Sequence, residues 1–307
     1  SVPGVPAVAG RRAAWATPGR PVGSLRRMTA PSAASLPELR DAHASMKVGP
    51  YLQDLWERRS YIWYVALSEL RARQVTNVLG NLWHLLNPAL NIFIFYLIFG
   101  LLLGVDRGVD NFILFLSVGL FIFQLTQKAT TDGARVIVNN RGLLKAIKFP
   151  RALLPVTATV TETLAALSSF AVLFAIAIIT DEPPSIRWVL LVPLVAVQFF
   201  FNLGAAMISA RMTTHFRDFT QILPFFFRLL LYGSGVIFSV EEYVENGGVE
   251  ALFVANPMYC FLTVGRWVVM GGDLDPMLIL SGSLWSVVIC VGGFLWFRAA
   301  EERYARD

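Results

Sequence analysis

Six stretches of this chain, about residues 82–105, 112–131, 153–180, 188–210, 219–240 and 277–297, are apolar and almost free of charge. At 1.5 Å per residue each is long enough to cross roughly 30 Å of hydrocarbon. In lipid every backbone N–H and C=O must be bonded within its own segment, so runs of this length form helices rather than strands. The expected fold is an all-α membrane protein with six transmembrane helices. Composition agrees: 55% of the residues are hydrophobic and only 15% are charged, against roughly 25% charged in a soluble domain.

The basic residues between these runs set the orientation. Placing both termini in the cytoplasm puts Arg135, Arg141, Lys145, Lys148, Arg151, Arg211, Arg217, Arg298, Arg303 and Arg306 inside, and only Arg107, Arg187 and Arg266 outside. That asymmetry follows the positive-inside rule. It also accounts for the net charge of +5 without any nucleic-acid partner. The inner, cytoplasmic membrane is the expected location.

Residues 1–45 are rich in Pro, Ala, Ser, Gly and Arg and read as a disordered cytoplasmic tail. Arginines interrupt them throughout, so they lack the apolar core of a signal peptide. Residues 46–81 hold a charged helix in which Trp56, Trp63, Leu67 and Leu70 recur at helical spacing opposite Arg58, Ser68, Glu69 and Arg71. Such a helix lies in the membrane surface or packs on a cytoplasmic partner. Residues 82–307 are the expected six-helix transmembrane domain. Between its fifth and sixth spans, the apolar pieces 251–255 and 258–271 are too short to cross and are cut by Asn256-Pro257 and Arg266. They read as two short re-entrant helices dipping into the outer leaflet.

Motifs for chemistry are missing. No Gly-x-x-x-x-Gly-Lys-Ser/Thr loop is present, the three histidines His43, His84 and His215 are scattered, and Cys260 and Cys290 lie in unrelated segments. The chain therefore has no ATPase site of its own, no metal site and no expected cofactor. Gly100 and Gly104 form a small-xxx-small pair that permits close helix approach.

Against this background, the run from Asn139-Asn140-Arg141-Gly142-Leu143-Leu144-Lys145-Ala146-Ile147-Lys148 through Phe149-Pro150-Arg151-Ala152-Leu153-Leu154-Pro155 closely resembles a signature joining spans two and three in permease subunits of type-2 ABC exporters. Leu82-Trp83 with Leu86-Asn87-Pro88, Phe216-Arg217-Asp218, and Asn256-Pro257 followed by Arg266 are similar to further family fragments in the same order. The resemblance covers about residues 50–300. Within the family the chain looks most like permeases that export lipid-linked polysaccharide, and its style is similar to the actinobacterial galactan-exporter permeases. One departure is Ser234-Gly235-Val236, where many relatives have Ser-Pro-Val, and glycine makes a less definite kink than proline.

The resemblance implies a half-transporter, two copies of the permease with two copies of a separate ABC ATPase that binds ATP and Mg. Arg135, Arg141, Lys145, Lys148, Arg151, Arg217 and Asp218 are then the expected ATPase-coupling residues, or they only satisfy the positive-inside rule. Asn256, Pro257 and Arg266 form an expected outer gate.

Arginines near the inner leaflet favour anionic headgroups, so Arg58, Arg59, Arg71 and Arg73 are candidates for binding substrate or ordinary membrane lipid. Phe93, Tyr96, Phe121 and Tyr232 are candidates for an aromatic path lining, or for plain packing. Two charges, Glu162 and Arg228, fall at matching depths in the third and fifth spans. They read as an intramembrane pair, or as a snorkelling arginine and a glutamate bonded to Thr159 or Thr163.

The expected substrate is a galactan-like or O-antigen- or teichoic-acid-like lipid-linked glycan. The rival readings are a drug or small-lipid exporter permease, a membrane-embedded glycosyl- or acyltransferase, and an ion-coupled carrier.

Overall fold

The computed structural model describes residues 48–73, 82–105, 109–146, 149–240 and 252–301. The expected tail, 1–45, lies outside them. Among the described residues the regular structure is helical, and five helices are long and apolar enough to cross a membrane.

Two short helices, α1 (Val48–Glu57) and α2 (Arg59–Ala72), precede the first span. The single amphipathic helix expected here is thus broken at Arg58. Ile62 and Ala66 are buried where α2 lies on a later helix, while Trp56 and Trp63 stay exposed. The first span is α3 (Leu82–Phe95) continued by a π-helical stretch, Tyr96–Leu102.

Next comes α4 (Phe112–Asn139), whose start is capped by Asn111 Oδ1 accepting the Leu114 amide at 3.2 Å. Residues 114–123 of α4 are all buried, and a helix that is apolar and covered all round belongs at the centre of a bundle. Around it stand α6 (Leu153–Ile179), α7 (Leu191–His215), α8 (Phe219–Gly233) and α9 (Pro257–Met270). The last helix, α10 (Pro276–Arg298), lies along α7.

Three boundaries correct the expectations. Helix α4 runs to Asn139 rather than ending near 131, so Asp132 and Arg135 sit on it. The short helix α5 (Arg141–Ala146) follows, and a turn at 151–152 opens α6.

The fifth apolar run is not one helix. Its α8 has 15 residues, about 22 Å long, and the chain turns away at Ser234. Gly235 adopts φ +64, a left-handed conformation that glycine accepts freely. The Ser-Gly-Val sequence therefore ends the helix, where the sequence suggested only a softened kink. Among the described residues, five helices are long enough to cross and α8 is a shorter apolar helix.

The segment expected on the outer side holds one well-formed helix, α9, capped by Asn256 Oδ1 at 3.0 Å from the Met258 amide and opened by Pro257. The first of the two expected short helices is a single turn at 252–254. Residues 241–251 lie outside the described ones.

Helices α7 and α10 approach each other closely. A methyl group on Gly204 would overlap the Ile289 carbonyl, and one on Gly293 would overlap the Gly204 carbonyl, so the two backbones touch. By contrast, Gly104 lies beyond the α3 span at φ +60 with open space around it.

Candidate functional site

Clusters of polar side chains stand at each end of the bundle and partway along it. At the end expected to face the cytoplasm, Tyr51 of α1 donates to Glu301 Oε1 at 3.1 Å, and the same oxygen accepts the Arg151 amide at 2.8 Å. The Ala152 amide donates to Tyr51 Oη at 3.1 Å. The amides of Arg151 and Ala152, the two residues that lead into α6, are thus held by the first and last described segments together. Burial, and then the Glu301 carboxylate, push the Tyr51 hydroxyl well above its ordinary pKa, so it stays a donor.

Beneath this junction the ends of α1, α4, α6, α7 and α10 form an apolar cluster that includes Ile137, Leu154, Met207 and Phe297. Leu144 plugs α5 into that cluster and leaves Lys145 exposed on the outside. Arg135, Arg217 and Asp218 are exposed at the same end, and Arg141 is half-buried. Lys148 lies outside the described residues.

Partway along the bundle, Arg73 at the end of α2 reaches three carboxylates. Its Nη1 lies 2.7 Å from Glu162 Oε1 on α6, and its Nη2 lies 3.2 Å from Asp132 Oδ2 on α4 and 3.4 Å from Glu69 Oε1. Burial works against the Arg73 charge, but Glu162 first, and then Asp132 and Glu69, raise its pKa above the ordinary value.

At the other end, Arg266 of α9 is 9% exposed. It donates to the carbonyls of Gly235 at 2.9 Å and Val236 at 2.8 Å, and its guanidinium carbon lies 3.4 Å from the centre of the Phe115 ring. Asn256 donates to Ser234 Oγ at 2.9 Å. Two residues of the expected outer gate therefore grip the turn that ends α8. A cavity of about 420 Å³ opens beside Arg266, lined by Phe115, Tyr259, Thr263 and Trp267 among others.

The comparisons with known proteins bear on this arrangement. No family model matches the sequence. A protein of Klebsiella pneumoniae named O-antigen export system permease protein RfbA is 26% identical over 239 residues, covering 78% of this chain and 91% of the relative. A protein of the same name from Myxococcus xanthus is 24% identical over 259 residues, 83% of this chain and 98% of the relative. This chain is similar to O-antigen export permeases. The resemblance read from the sequence stands, and it spans nearly the whole of those relatives.

Two sequence-derived assignments change in the structure. Glu162 does not pair with Arg228. Its partner is Arg73, and α6 packs on α2, α3, α4 and α7 while α8 lies against α4 and α7, so the two helices carrying the proposed pair are not neighbours. Thr159 and Thr163 bond back to the carbonyls of Pro155 and Thr159 instead of to Glu162. Phe121 is 3% exposed within the central helix and packs the core, whereas Phe93 and Tyr232 are exposed and Tyr96 is half-buried.

Of the four candidate headgroup arginines, Arg58 pairs with Asp54 at 2.9 Å and Arg73 is taken by its three carboxylates. Arg59 and Arg71 have no carboxylate partner among the described residues, and Arg59 lies over the Trp56 ring at 5.4 Å.

Asp132, Tyr51 and Glu301 were missed. Asp132 fell at an expected span boundary. Tyr51 and Glu301 are 250 residues apart, so no local pattern links them. Also missed was a fully buried set between α4 and α7. There Thr126 donates to Asn202 Oδ1 at 2.7 Å, and Gln198 donates to Thr126 Oγ1 at 2.9 Å and to the Ile122 carbonyl at 2.8 Å.

Proposed function

We propose that this chain is the permease half of an ATP-driven exporter of lipid-linked polysaccharide, with two copies working beside two copies of a separate ATPase in the cytoplasmic membrane. The observation that carries the reading is the similarity to O-antigen export permeases over 78% to 83% of this chain. The lipid-linked substrate and the ATPase partner are inferences from that likeness.

The cytoplasmic geometry suits the partnership. Helix α5 offers Lys145 outward while Leu144 anchors it in the cluster shared by five helix ends. A push on α5 is therefore delivered to packed side chains rather than to a loose loop, and interiors packed at this density transmit displacement. The chain itself supplies no bond-breaking groups in this scheme. It binds and passes its cargo while the partner hydrolyses ATP, and the α9 grip on the α8 turn serves as the outer gate.

Transport into inverted vesicles tests the reading. Uptake of a lipid-linked glycan should require this chain, the ATPase and ATP together. Uptake driven by an ion gradient alone, or by the chain without a partner, would refute it.

A further inference from the structure

The starting point is a charge without a counter-charge. Arg228 is exposed on α8, nine residues from Phe219, so it lies about 14 Å along the helix. Its neighbour Phe227 is buried and packs edge-on against Phe123 of α4 with ring centres 6.1 Å apart. That contact puts Arg228 level with the middle of the bundle. The same face of α8 shows Ile222, Phe225, Phe226, Leu229 and Tyr232 to the outside. An arginine in such a setting costs about 2.5 to 3.5 kcal/mol or more unless it meets water or an anion.

None of the described residues supplies that anion. Asp132 and Glu162 are the only acidic residues on α3, α4 and α6 to α10, and both are bonded to Arg73. Among the described residues no carboxylate lies within ion-pair distance of Arg228. A second copy of the chain has the same inventory, so its helices α3, α4 and α6 to α10 have no spare carboxylate to offer either. The other helix cations are differently placed. Arg211 is bonded to the Trp296 carbonyl and lies over its ring, Arg266 is buried on backbone carbonyls, and Lys128 sits one turn from Asp132.

We propose that Arg228 binds the phosphate of an anionic amphiphile on the exposed face of α8, and that this amphiphile is the lipid-linked cargo as it passes. A guanidinium offers a planar fork of donors matched to phosphate oxygens, while the aromatic and aliphatic side chains around it suit a lipid chain. The depth argues against ordinary phospholipid, whose phosphate lies at the membrane surface. The inference rests on the export reading above and names a contact for its substrate.

The test uses the complete transporter, this chain with its ATPase, in nanodiscs. Binding of a polyprenyl diphosphate and of the neutral polyprenol is measured for wild type, Arg228→Lys and Arg228→Gln, at low and high phosphatidylglycerol content. Wild type should prefer the diphosphate at least about tenfold. Arg228→Gln should lose that preference while its affinity for the polyprenol is unchanged, and Arg228→Lys should keep part of it.

Equal preference in wild type and Arg228→Gln overturns the proposal. So does competition by phosphatidylglycerol that disappears in Arg228→Gln, which would assign the site to bulk lipid. A wild type that binds neither probe counts against the export reading itself. Size-exclusion profiles of the two variants check that each is folded, and Arg228→Lys carries the test if the glutamine variant is not.

Discussion

Arg73 at the end of α2 donates to Glu162 in the middle of α6 across 2.7 Å, although 89 residues separate them. The contact ties the helices that precede the first span to the bundle, and it explains how a glutamate that is 2% exposed survives in the third span. Its charge is matched by an arginine that enters from the side.

The first prediction follows from the asymmetry of this cluster. Arg73→Gln strands Glu162 and Asp132 together, whereas Glu162→Gln leaves Arg73 with Asp132 and Glu69. Removing one partner of a buried pair costs several kcal/mol. Because Arg73 is partly exposed, we expect about 2 kcal/mol for Arg73→Gln and clearly less for Glu162→Gln. The double variant should recover part of the loss. Thermal unfolding of the purified permease measures all three, and strictly additive losses would count against the contact.

At the opposite end, Arg266→Ala strips two carbonyl partners from the turn after α8. Hydrogen bonds to a charged group are worth about 1.5 to 3 kcal/mol each, so residues 233–240 should exchange amide hydrogens much faster. Arg266→Lys should protect one carbonyl and give an intermediate rate. Unchanged exchange in Arg266→Ala would remove α9 from any role in holding that turn.

Tyr51→Phe keeps the ring that fills its pocket but loses the bonds to Glu301 and from the Ala152 amide. A loss of about 1 kcal/mol is expected. Since Tyr51 and Glu301 share one small network, Glu301→Gln should add less in the Tyr51→Phe background than alone. A double-mutant cycle reads this directly.

Helix α5 yields a functional prediction. Lys145→Glu, with Arg135→Glu, should lower ATP-driven export severalfold while leaving the permease folded and the isolated ATPase active, because only exposed side chains change. Leu144→Ala should instead reduce stability, by about 2 to 4 kcal/mol. Normal export by the charge-reversed variant would place the coupling surface elsewhere.

The apolar runs were legible in the sequence because hydropathy and length alone decide whether a helix can cross a bilayer. Five appear as long helices, and α6 and α10 differ from the expected limits by a residue or two. The fifth run misled because hydropathy does not register backbone direction. Val236 and Ile237 are as apolar as any span residue, yet the break at Gly235 precedes them.

Partners of charged residues were the least legible. Glu162 and Arg228 matched in depth, but depth says nothing about which helices are neighbours, and Arg73 was read as facing lipid when it turns inward. The Gly204–Gly293 contact was also hidden, since a glycine reveals close approach only when its opposite number is known.

That last contact has a mechanical consequence. Where backbone rests on backbone, as α7 rests on α10, there is no side chain to bend and no second rotamer to adopt, so the two helices form one stiff plank. Helix α8 is fastened differently, with only Leu223 and Phe227 buried along its length, and its exposed face carries Arg228. Any cycle that opens and shuts this molecule should find its give in α8, with the plank as the fixed rail past which that helix slides.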